Sequence, residues 1–171
     1  MDVRVLQGVS LLGAVLLTGL SAGLYYGFAV AVSPGLRRAG DRTFVEGMQR
    51  INTAILNGWF LLLFVGSLLL IAAAGALHLW GGGSRAAVPW IAAAAVLYMA
   101  VLVVTMAFNV PLNDALDAGG LPDGAERLAA LRERFESGWH RWNVVRTVCN
   151  TAAFGCLAWA LVRYGNGGSP R

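Results

Sequence analysis

The chain has 171 residues, 57% of them hydrophobic and only 13% charged, about half the charged fraction of an ordinary soluble domain. Its 13 basic residues are all arginine and the net charge is +4. These arginines flank apolar runs, where positive charge sets topology, which argues against a nucleic-acid partner and makes the lipid bilayer the expected one.

Four stretches contain no Asp, Glu, Lys or Arg: Val5 to Leu36, Ile51 to Ser84, Ala86 to Asn113 and Thr147 to Val162. A membrane crossing takes about 20 mostly apolar residues for ~30 Å of hydrocarbon. The predicted fold is therefore an all-α integral membrane protein, a bundle of four transmembrane helices without a soluble domain. It forms a single domain over residues 1–165, followed by a flexible tail, 166–171.

Span one covers about 5–32, too long an apolar run for the core of a signal peptide. Gly19, Gly23 and Gly27 recur at four-residue spacing, a smooth face that another helix can approach. Ser33-Pro34-Gly35 is expected to end it. Asp41 reads as the cap of a helix that leads into span two, about 51–79. Trp80 to Ser84 reads as a flexible turn. Span three, about 88–108, is expected to stop at Asn109-Val110-Pro111, which leaves Asp114 and Asp117 as solvated loop charges. The amphipathic segment 122–138, with Leu128, Leu131 and Phe135 as apolar positions, reads as a short interfacial helix before span four. Span four covers about 139–162, and the chain is expected to fray from Tyr164. Cys149 and Cys156 both fall in span four, about 10 Å apart along one helix, and cannot pair with each other.

The connections 33–50 and 109–138, with Arg141 just beyond the second, hold Arg37, Arg38, Arg42, Arg50, Arg127, Arg132, Arg134 and Arg141. Arg4, Arg85, Arg163 and Arg171 belong to the other side. The imbalance places the two longer connections in the cytoplasm and both termini outside.

Phe44, Gly47, Arg50 and Asn52 before span two recur at the same offsets as Phe135, Gly138, Arg141 and Asn143 before span four. Each set follows a span that ends in a proline, Pro34 or Pro111. The echo suggests two tandem helical hairpins related by an axis along the membrane normal. It also predicts that Asn52, Asn143, Asn109 and Asn113 converge on one side of the membrane, with Asn57 one turn deeper.

The most polar start of any span is Trp139 to Thr147. Trp139, Trp142, Asn143 and Arg146 are three or four apart and share a helix face. Arg146 lies about 10 Å past Trp139, where a guanidinium exposed to lipid is costly, so it should face the bundle interior or snorkel. A guanidinium inside a polar cavity stabilises anions; the plain alternative is an interfacial arginine in a tryptophan belt. The five asparagines equally well bond across helices. His78 and His140 belong to opposite membrane faces and cannot share a haem. His140 is the single plausible metal ligand near the polar cluster, and no Glu-x-x-His pair signals a di-iron site. Tyr25 and Tyr26 either line a cavity or pack.

Ser33-Pro34-Gly35-Leu36, Met48-Gln49-Arg50-Ile51-Asn52, Phe108-Asn109-Val110-Pro111-Leu112-Asn113 and Trp139 with Trp142-Asn143-Val144-Val145-Arg146-Thr147 resemble the anthrone oxygenase family, small four-span membrane proteins that are mostly bacterial. Its fungal members oxidise anthrones to anthraquinones with dioxygen in polyketide biosynthesis. The resemblance implies an oxygenase in a bacterial cytoplasmic membrane that acts on a lipophilic, polycyclic aromatic substrate. Dioxygen would be the co-substrate, with no cofactor or with a single metal ion. His140 would be the base and Arg146 the anion stabiliser. Asn52, Asn57, Asn109, Asn113 and Asn143 would orient the substrate, and Trp139, Trp142 and Trp59 would wall it. The rival readings are a structural or accessory four-span protein, alone or as an oligomer, and a small carrier. The apolar middles of spans two and three argue against the carrier.

Overall fold

The computed structural model describes residues 2–82 and 85–166. Gly83 and Ser84 of the expected turn, and 167–171 of the expected tail, lie outside the described residues. Among these residues the fold is all-helical: α1 (Val3–Arg37), α2 (Asp41–Ile55), α3 (Gly58–Trp80), α4 (Arg85–Ala118) and α5 (Ala125–Asn166). All but α2 are long and apolar enough to cross a membrane, as the charge-free stretches predict.

Neither proline ends its helix. In α1 a π turn over Phe28–Val32 precedes Pro34, and in α4 a π turn over Thr105–Asn109 precedes Pro111. The N–H of Ser33 reaches back five residues to the Phe28 carbonyl, and that of Val110 to the Thr105 carbonyl. Proline removes one backbone donor and crowds the carbonyl four residues earlier. A wide turn just before the ring relieves the clash and lets the helix run on. Asp114 and Asp117 are therefore helical, not in a loop. The proline-and-π-turn pair sits at the same offset in both halves, and Phe44 meets Phe135 with ring centroids 6.2 Å apart. The echo fails after Asn52: span two breaks at Leu56, and α2 is a separate helix, whereas the fourth span is unbroken.

The apolar core joins Leu11 and Ala14 of α1, Ile71 and Ala74 of α3, Ala94 and Tyr98 of α4, and Ala153 and Leu157 of α5. Alanines at these contacts let helix axes come close. α1 and α4 each pack between α3 and α5. Of the glycines on α1, Gly19 packs on Phe154, while Gly23 and Gly27 face open space. Trp59 and Trp80, at the two ends of α3, are 80% and 84% exposed. About 31 Å separates them along the helix, the thickness of the hydrocarbon layer, as expected of a tryptophan at each interface.

α5 has 42 residues, about 63 Å, twice what a crossing needs. The segment expected as a separate interfacial helix is its first turns, continuous with the span, and the helix holds past Tyr164 to Asn166. Tyr164 is kept in place by His78, 5.4 Å away between ring centroids. Beyond the membrane the start of α5, the end of α4 and α2 bury Phe44, Val45, Met48, Leu116, Phe135 and Trp139. This cap with its own core was not expected from the sequence. Gly40 holds the N-cap position of α2 and Asp41 its first turn. The Asp41 carboxylate accepts from Arg132 Nη1 at 3.0 Å, and the same guanidinium donates to Glu136 at 2.6 Å and to the carbonyls of Arg37 and Ala39. Gln49 ties α2 to α4 through the carbonyls of Leu116 and Gly120. Charge-assisted bonds contribute about 1.5–3 kcal/mol each when shielded. Arg132 is only partly buried, so Arg132→Ala is expected to cost about 2 kcal/mol in total, read as a lowered melting temperature in detergent.

Candidate functional site

Where α1, α4 and α5 meet the cap, a cavity of about 130 Å³ opens. Arg146, Asn143, Thr105 and Tyr25 form its floor, and Asn52, Asn109, Asn113 and Trp139 its sides. Leu24, Phe28, Ile51, Ile55, Leu56 and Phe60 line an apolar wall, and Asp114 and Asp117 complete the lining. The floor is buried: Asn143 is 0% exposed and Arg146 6%. Leu56, Asp114 and Asp117 are exposed and mark the mouth. Arg146 lies seven residues past Trp139, about 10 Å along α5, so the floor lies that far along the helix from the cap.

The floor follows from helix periodicity. Trp139, Asn143 and Arg146 recur at four and three residues on α5, and Thr105, Asn109, Asn113 and Asp117 at four on α4. Each set is one stripe. Arg146 Nη2 donates to Asn143 Oδ1 at 3.0 Å, and Nη1 to Thr105 Oγ1 at 3.4 Å. The guanidinium carbon sits 4.6 Å from the centroid of the Tyr25 ring and 5.7 Å from that of Trp139. Asn143 Nδ2 donates to the Tyr25 carbonyl, Asn109 Nδ2 to the Trp139 carbonyl, and Trp139 Nε1 to Asn113 Oδ1 at 2.7 Å. Among the described residues no carboxylate lies within ion-pair distance of Arg146. Arg146 Nε, Asn52 Nδ2 and Asn109 Oδ1 are buried without a partner. A buried cation without a counter-charge, beside unspent amide atoms, is expensive unless a ligand completes it.

The structure thus gathers seven of the residues singled out in the sequence: Tyr25, Asn52, Asn109, Asn113, Trp139, Asn143 and Arg146. Four others it places elsewhere. Asn57 is exposed and caps α3, accepting from the N–H groups of Trp59 and Phe60. Trp142 stacks on Phe108 at 3.8 Å, outside the cavity. His140 is one position off the α5 stripe, about 100° around the helix. It faces a separate cavity of about 10 Å³ with Ser33, Met48 and the Arg37–Glu136 ion pair, far too small for an organic substrate. Trp139 lines both cavities. Among the described residues no three His, Cys, Asp or Glu side chains are grouped as metal ligands. Trp59 points outward. Asn57→Ala is therefore expected to cost about 1 kcal/mol as a lost cap, seen in thermal unfolding, while ligand binding in the cavity stays as in the wild type.

Sequence reasoning missed Thr105, Phe28 and the two aspartates. The four-residue spacing of Thr105, Asn109, Asn113 and Asp117 was the available signal.

Fold and site together define a four-span membrane protein with a cation-floored cavity where the bundle meets its cap. The sequence profile of the anthrone oxygenase family matches residues 59–156, more than half of the chain, and the protein belongs to that family. No curated protein and no solved structure matches it. The matched segment includes Thr105, Asn109, Asn113, Trp139, Asn143 and Arg146, whereas Tyr25, Phe28 and Asn52 come from outside it.

Proposed function

We propose that the protein is a membrane-embedded oxygenase that uses dioxygen to convert the methylene of an anthrone-like, lipophilic aromatic into a ketone. The observation that carries this reading is Arg146, buried, without a carboxylate partner and aimed into a cavity walled by aromatic rings. In the reaction the methylene loses a proton to water at the cavity mouth, since His140 faces the other cavity, and the electron pair it leaves spreads onto the ring oxygen. That oxyanion is the charge Arg146 meets, and the unpartnered Asn52 Nδ2 is a second donor lining the same cavity. The carbon then bonds to dioxygen and the peroxide takes up a proton. Loss of the second hydrogen with cleavage of the O–O bond yields the ketone and one water. One dioxygen is consumed per methylene, and the atoms balance without an added reductant.

The cavity also sets a pose. About 150 Å³ takes one benzene, so a volume of 130 Å³ holds one ring at the floor while the others extend toward Leu56. A purely structural protein is less well supported, because its polar side chains would satisfy one another, and Arg146 Nε, Asn52 Nδ2 and Asn109 Oδ1 have no partner. The test is quinone formation from an anthrone by purified protein under ¹⁸O₂. Enzyme-dependent quinone carrying one labelled oxygen is expected. A rate equal to that of the protein-free solution would sink the reading.

A further inference from the structure

A bare cation at the bottom of a cavity that reaches the membrane surface has a problem of selectivity. Any small anion from the aqueous phase would pair with it. Two features of the rim bear on this. Its apolar part, Leu24, Leu56 and Phe60, lies on α1 and at the break between α2 and α3, beside the exposed Trp59. Trp59 marks the membrane interface, so this side opens toward lipid. The other part of the rim is Asp114 and Asp117 on α4, both exposed and on the same turn of helix. Asp117 continues the stripe that begins at Thr105, the hydroxyl partner of Arg146. The carboxylates stand about 13 and 18 Å from Thr105 along the axis, too far to neutralise the guanidinium and close enough to act on what passes the mouth.

We propose that Asp114 and Asp117 are a selectivity device that keeps aqueous anions from Arg146, so that the cavity takes a neutral lipophile from the bilayer and meets negative charge only when it develops on the bound molecule. This deepens the oxygenase reading in naming what the site admits, but its test needs no substrate. Repulsion by two carboxylates at that distance changes anion affinity by roughly two- to fivefold at low salt, and by less as salt rises.

The experiment measures the melting temperature of the full chain in neutral detergent against increasing thiocyanate, with gluconate at equal ionic strength as the bulky control. An anion that binds the folded state raises the melting point in proportion to its occupancy. Wild type is expected to respond alike to both salts. The D114N/D117N double variant is expected to gain a thiocyanate-specific rise with half-saturation at least twofold lower than any wild-type response, and Arg146→Met in that background removes it. Asp117→Asn alone shows a smaller rise, which keeps the test decisive if the double variant folds poorly. The proposal is overturned if wild type and variants respond equally, or if the response survives loss of Arg146. Either result leaves the ¹⁸O₂ assay to judge the oxygenase reading on its own.

Discussion

Arg146→Met is expected to separate stability from activity. Methionine has about the right volume and carries no charge. The substitution removes a buried cation for which no carboxylate stands within ion-pair distance among the described residues, a burden of several kcal/mol in comparable settings. Against this, Asn143 Oδ1 loses the donor now at 3.0 Å, which costs about 1–3 kcal/mol when the acceptor stays buried. The balance favours the variant by about 1 kcal/mol, so its melting temperature in detergent should hold or rise. Turnover of an anthrone should fall about 10²–10³-fold, the usual consequence of removing a preorganised donor from a developing oxyanion. Arg146→Lys should recover only part, because a point charge does not keep the fork to Asn143 and Thr105. A variant that melts lower and loses activity in proportion would make Arg146 a structural residue.

The second large effect is expected at Trp139. Its indole is 6% exposed, contacts Phe28 and Phe135 at centroid distances of 5.7 and 5.9 Å, and donates to Asn113. It also lines both the cavity above Arg146 and the small one beside His140. Trp139→Ala therefore removes packing from the cap core and leaves a void, for a cost of about 3–5 kcal/mol. Trp139→Phe keeps most of the ring contacts and should lose less than half of that. Urea unfolding of both variants in the same detergent decides it. If Trp139→Ala were no less stable than Asn57→Ala, the cap would not depend on this side chain.

Much of the architecture was legible because hydropathy over a span of about 20 residues is a strong signal. Its ends were not. Pro34 and Pro111 read as terminators by the ordinary rule for helices, and the π turns before them cannot be seen in composition. That single local feature explains the chain of misreadings in α4: a span stopped at Pro111 turns Asp114 and Asp117 into loop charges, whereas a continuous helix delivers them to the cavity. The break at Leu56 was hidden for the opposite reason, since no proline or charge marks it and Asn57 reads equally well as a polar residue inside a span. At the site, Asn143 and Arg146 were legible from helical spacing, whereas His140 was read as the base although it lies about 100° around the helix from that stripe. Asn52 reached the cavity as the echo with Asn143 anticipated. Tyr25 stayed ambiguous because a tyrosine in a span packs as readily as it lines a cavity.

The claim at the centre of this account is that the cavity above Arg146 is where an aromatic ligand sits with its oxygen on the guanidinium. An experimental structure of the protein in nanodiscs with a hydroxyanthraquinone bound tests it most directly. A ligand oxygen is expected within hydrogen-bond distance of Arg146, with one ring between Trp139, Tyr25 and Phe28 and the far rings pointing to Leu56. A ligand on the lipid-facing surface, or bound with Arg146 untouched, would contradict it.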